Sequence, residues 1–281
     1  RVYGLNDPRM IRVLDRMARW NLSVFNARWG PDVGLRLANA FYMYRQASNL
    51  VSTYYGDQDD LYVKFLRDSA GTAFLVARFQ ALINEVPQPQ FREAQLRFTD
   101  QATGFRPDYR EGYAEGLEAL QEIVAHYREN RPGSADYALA LIHEGDWYLL
   151  FDRPRTAEEL YAQAHEVLAA LDNGEELIKE HLGVPKPLPA FSDQLDTIFI
   201  AGNVASRETD ARRIGHVDAS FTVTNYGSVT DLEILTDEDE VDNRVLSALR
   251  RKIRGTVFRP VVEDGVAMRT AQNLFRYRFL Y

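Results

Sequence analysis

The chain has 281 residues, 46% of them hydrophobic and 26% charged, with no cysteine and a net charge of −8. This is the composition of a folded chain with one large or two ordinary domains, not of a disordered tail, and its acidic balance argues against a general nucleic-acid binder. The missing cysteines remove thiolate metal sites, disulfide frameworks and cysteine nucleophiles. The longest apolar runs, Tyr137–Ile142 and Trp147–Phe151, fall far short of the ~20 residues of a membrane span. The first residue is Arg1, so we expect a processed or truncated form without its signal peptide or anchor.

The charge is unevenly spread: residues 1–184 carry net −7 and residues 185–281 net −1. Between them lies Pro185-Lys186-Pro187-Leu188-Pro189. Alternate prolines favour an extended, stiff segment, which predicts a linker over 185–194 joining domains at 1–184 and 195–281.

The first of these reads as helix almost throughout. Asp7-Pro8 is a cap with proline in the first turn, followed by Ile11, Leu14, Met17, Ala18 and Leu22 at helical spacing. After the break at Gly30-Pro31-Asp32, a second pattern runs through Leu37, Phe41, Tyr44, Ala47, Leu50 and Val51. The acidic run Asp57–Asp60 opens a third helix with Leu61, Phe65, Ala73, Val76 and Leu82 inward. Further breaks fall at Pro87/Pro89, Gly104–Pro107, Pro132-Gly133 and Pro154. An all-α array follows, either a solenoid or an irregular bundle.

Leu141, Gly145, Tyr148, Ala157, Tyr161 and Ala164 stand at the relative spacings of a tetratricopeptide repeat, where a small residue lets two helices cross closely. The segment 135–171 therefore resembles one such repeat, with helices near 135–151 and 156–171. Leu139, Ile142, Asp146 and Leu149 would face its concave surface, and the leucines and isoleucine among them predict cover by another helix or a partner.

The second half changes period. Val217, Ala219, Phe221 and Val223 alternate with Asp218, Ser220, Thr222 and Thr224. The turn Asn225-Tyr226-Gly227-Ser228 then leads into Val229–Leu235, which predicts a hairpin. The acidic run Asp237–Glu240 opens a helix with Val241, Val245, Ala248 and Leu249 inward, closed by Arg250, Arg251, Lys252 and Arg254. A last strand over 273–281 places Phe275, Tyr277, Phe279 and Tyr281 on one face and Arg276 and Arg278 on the other. The result is a small α+β domain, with a possible earlier strand at 196–201.

Gly215, Val217, Phe221 and Val223, then Gly227 and Val229, a helix, Phe258-Arg259-Pro260, Gly265-Val266 and the aromatic terminal strand are together similar to the carboxyl-terminal domain of TonB energy transducers. That resemblance covers roughly residues 195–281. It implies a Gram-negative periplasm and an edge strand able to pair with an extended peptide, which is β-augmentation. The partner surface would be the terminal strand, Phe275, Arg276, Tyr277, Arg278, Phe279 and Tyr281, together with the concave helical positions. Energy transduction for outer-membrane transport is the alternative. It requires an inner-membrane helix and a long proline-rich span that these residues do not contain.

A search for reaction chemistry yields none. His126, His143, His165, His181 and His216 include no i, i+4 pair, and no phosphate-cradling or nucleophile-elbow motif occurs. Both acidic runs sit where helices start, without the central glycine of a calcium loop. The cluster Tyr42, Tyr44, Tyr54 and Tyr55 is expected to pack between helices. We expect a non-enzymatic adaptor or accessory subunit of an envelope assembly, without cofactor, metal or nucleic acid. Its partners would be other envelope proteins or an extended peptide, and it would meet a membrane only through a partner or a removed anchor.

Overall fold

The computed structural model describes residues 4, 6–26, 33–57, 59–80, 109–191, 214–236, 241 and 243–280. These form a helical region and a small α+β part. The predicted strand at 196–201 and the acidic run at 237–240 lie outside the described residues. Two compact units divide the chain: Arg1–Asn130 with Phe191–Gln194, and Arg131–Ala190 with Leu195–Tyr281.

In the first unit, α1 (Met10–Asn26), α2 (Val33–Tyr55), α3 (Asp60–Arg78) and α4 (Tyr109–Asn130) pack each against the next. The expected inward residues Ile11, Leu14, Ala18, Leu37, Phe41, Tyr44 and Ala47 are buried. Leu61 is not, being 43% exposed. It sits in the first turn of α3, where its amide donates to Oδ1 of Asp59 at 2.8 Å. The acidic residue there caps a helix, as expected. A Cβ on Gly112 would lie 2.9 Å from the Ala73 carbonyl, so glycine sets how closely α4 approaches α3.

In the second unit, α5 (Ala135–Leu150) and α6 (Pro154–Ala169) form an antiparallel hairpin, followed by α7 (Gly174–His181). Ser134 caps α5 by accepting from the Tyr137 amide at 3.2 Å, and Pro154 occupies the first turn of α6. The helices cross at Gly145, where a Cβ would meet the Tyr161 ring at 2.6 Å and the Ala157 carbonyl at 3.3 Å. This is the close crossing that the spacing of small and aromatic residues predicts.

The proline-rich segment, expected to form a stiff spacer between domains, instead pairs through its backbone with a strand. β1 (Lys186–Pro187) pairs antiparallel with β4 (Phe258–Arg259). The Leu188 amide donates to the Val257 carbonyl at 2.9 Å. The physical reason lies in the alternation: prolines lack N–H groups on one side of the extended chain, leaving the amides between them to pair on the other.

The sheet β3-β2-β7 is antiparallel, with β2 (Ile214–Val223) between β3 (Val229–Ile234) and β7 (Thr270–Leu280). Helix α8 (Asn243–Arg254) supplies Leu246, Leu249 and Ile253 to a core shared with Val217, Ala219, Phe221, Val223 and Phe258. A short hairpin, β5 (Val261–Glu263) with β6 (Val266–Met268), lies against α6. Both outer strands shift register beside Thr222, where Asp231 and Gln272 take φ of 51° and 55°. Bulges of this kind terminate regular pairing and increase twist.

Replacing Gly145 with alanine adds helix propensity of about 1 kcal/mol but drives a methyl into a buried, hydrogen-bonded tyrosine. We expect the overlap to win, with a net loss of about 1–2 kcal/mol in urea unfolding.

Candidate functional site

The sheet has two outer strands, β3 and β7, and the longer of them is β7. The Leu235 amide donates to the Asp218 carbonyl at 2.8 Å, and the Asp218 amide donates to the Thr236 hydroxyl at 2.8 Å, so residue 218 directs its backbone toward β3. Alternation then turns the backbone of 217, 219 and 221 toward β7, where they face Tyr277, Phe275 and Asn273. It follows that Leu274, Arg276 and Arg278 direct their N–H and C=O groups away from β2. Among the described residues no strand pairs with that outer edge.

The side chains divide by the same period. Phe275 stacks on Phe221 at 5.0 Å and meets Phe258 edge-on at 5.4 Å. Tyr277 is half-buried beside it, and burial pushes its phenol up to about 12. These two expected contact residues therefore face the core and anchor the strand. On the opposite face, Arg276 grips Asp218 through Nε and Nη2 at 2.7 and 2.8 Å. Residues 218 and 276 form a pair without mutual backbone bonds, the arrangement that brings cross-strand side chains closest. Hydrogen bonding from Arg276 lowers the Asp218 pKa. Leu274 is 72% exposed. Arg278 and Phe279 stand opposite His216 and Gly215 in the register, while their side chains, and all of Tyr281, lie outside the described residues.

The concave positions of the hairpin do not form an open surface. Ile142, Asp146 and Leu149 are buried and Leu139 is half-buried. Their cover comes from the same chain: the Leu149 side chain lies 3.2 Å from where a Cβ on Gly227 would sit. Asp146 is wholly buried and paired with Arg259. Arg259 donates from Nε to Oδ1 at 2.7 Å, from Nη2 to Oδ2, and from Nη1 to the His181 carbonyl at 2.8 Å. The Tyr161 hydroxyl donates to the same carboxylate at 2.9 Å. Arg259 was part of a recognisable segment in the sequence, but its role as counter-ion to Asp146 was not visible there. The one available signal was an acid on an otherwise apolar helix face, which calls for hydrogen-bond donors or a counter-ion once covered.

The environment fixes the charges of this cluster. Burial disfavours the Arg259 cation, and the Asp146 carboxylate more than offsets that and raises its pKa. Burial, then the neighbouring Asp146 charge, holds the Tyr161 phenol well above its ordinary value. The arrangement is a satisfied electrostatic joint between hairpin and sheet region, with no exposed reacting atom. Compared with family models, curated proteins and solved structures, the chain matches none.

Removing one partner of a buried, hydrogen-bonded ion pair costs about 3–5 kcal/mol, whereas an apolar replacement of both costs far less. We therefore expect Asp146→Asn to lose about that much in urea unfolding, and Asp146→Leu with Arg259→Met to recover much of it. The tyrosines set a pH dependence. Tyr161 and Tyr277 stay protonated in the folded chain after unfolded tyrosine, with a pKa of about 10, has ionised. The unfolded state then binds fewer protons, so stability is full below about pH 10 and declines above it. Phenolate absorbance and unfolding free energy, followed together from neutral to alkaline pH, test this.

Proposed function

We propose that the protein is a non-enzymatic adaptor of a bacterial cell envelope that takes an extended segment of its partner onto the outer edge of β7. In this reading the sheet and α8 are a TonB-like module placed in the periplasm, and α5–α6 is a tetratricopeptide-like hairpin that holds it. The observation that carries the reading is the edge itself. β7 is eleven residues long, internally anchored by Phe275 and Tyr277, and directs the backbone of Leu274, Arg276 and Arg278 outward. An unpaired edge is a template for an added strand.

The order of elements supports the module: a hairpin, a helix, the Phe258-Arg259-Pro260 segment and a terminal aromatic strand. The corrected helical positions give the hairpin a different part. Ile142, Asp146 and Leu149 secure the sheet region from within, and the outer edge of β7 is the surface we assign to partners.

Proline separates edge pairing from folding. At position 274 it removes an outward N–H and leaves the ladder to β2 intact. Pull-down from a native envelope extract with the wild-type chain should retain a partner that Leu274→Pro loses by about tenfold or more, with the melting temperature little changed. Undiminished retention by Leu274→Pro would place the contact elsewhere.

A further inference from the structure

Beyond the edge strand, the first unit carries two charged helix faces of opposite sign, and we propose that they join copies of this chain head to tail. The outward face of α1 presents Arg12, Arg16 and Trp20 on three successive turns. Trp20 is 54% exposed, and the Arg36 guanidinium lies 4.8 Å above its ring. Such an indole, held in place by a cation, is the kind of side chain that dominates protein interfaces. Among the described residues, Arg12 and Arg16 have no ion-pair or hydrogen-bond partner.

The outward face of α4 presents Ala114, Glu118 and Glu122, likewise exposed and likewise one turn apart. One carboxylate oxygen of Glu122 accepts from the Tyr62 hydroxyl at 2.8 Å, and the other remains available. Both sets repeat every four residues, about 6 Å along each axis. Set antiparallel, they match in a single register: Arg12 opposite Glu122, Arg16 opposite Glu118, and Trp20 over Ala114. The small alanine leaves room for the indole where the two arginines meet acids. The faces occupy the first and last helices of the α1-to-α4 succession, so each copy offers both at once.

A contact between two different patches is heterologous, and it propagates into rings or open chains rather than closing as a symmetric dimer. An anionic lipid surface is a poorer occupant. The apolar face of α1 is already buried against α2, which leaves little to insert into a bilayer.

The test needs no other partner: light scattering and analytical ultracentrifugation of the full chain over a concentration series. Association should appear at about 0.02 M salt and weaken at about 0.5 M, where screening is strong. Arg12→Glu with Arg16→Glu, and separately Glu118→Arg with Glu122→Arg, should each weaken association by about tenfold or more. Mixing the two charge-reversed proteins should restore it. All four positions are exposed, and circular dichroism verifies that the variants fold. A wild-type chain that stays monomeric at low salt, variants that associate as the wild type does, or a mixture that stays monomeric would each overturn the proposal.

Discussion

The second unit depends on one buried ion pair. Asp146 on α5 and Arg259 on β4 are taken almost wholly out of water, a transfer that is unfavourable for either charge alone. It is tolerated because both charged groups are paired and hydrogen-bonded: two bonds between carboxylate and guanidinium, one from the Tyr161 hydroxyl and one to the His181 carbonyl. These partners come from α5, α6, α7 and β4. The pair fixes those elements in one arrangement, because any slippage would strand a charge in a dry interior.

From that constraint the placement of the sheet follows. Phe258, next to Arg259 in β4, packs on Phe221 of β2 and Phe275 of β7, so the ion pair and the aromatic core share a backbone segment. The same segment accepts β1, which draws the proline-rich stretch into the fold. One edge of the three-stranded sheet is consequently held by internal packing, while its backbone groups on the far side remain directed outward. Rigidity on one side and open pairing capacity on the other are what strand addition requires.

The sequence made the local elements readable and hid the long-range one. The alternation from Val217 to Thr224 and the Gly145–Ala157–Tyr161 spacing each encode a period or a close approach within a few dozen residues. The structure reproduces them within a few residues at their ends. Asp146 and Arg259 are separated by 113 positions, and no periodicity links a helix face to a short strand at that distance. The proline cluster misled for a related reason. Its composition is that of a spacer, but its alternating amides make it a one-sided strand once a partner strand is present. Of the candidate site, the edge character and the alternation of β7 were legible. The burial of Ile142, Asp146 and Leu149 by the chain itself was not, since apolar residues in a helical groove look the same whatever covers them.

If the ion pair joins hairpin and sheet into a single cooperative body, their backbone amides open together. Native-state hydrogen exchange measures this directly, because slowly exchanging amides report the free energy of the opening that exposes them. The account predicts one shared value for the core amides of α5, α6, β2 and β7, falling by the same amount in all four when Asp146 is replaced by asparagine. Two separate values, with β2 and β7 unmoved by that substitution, would contradict it.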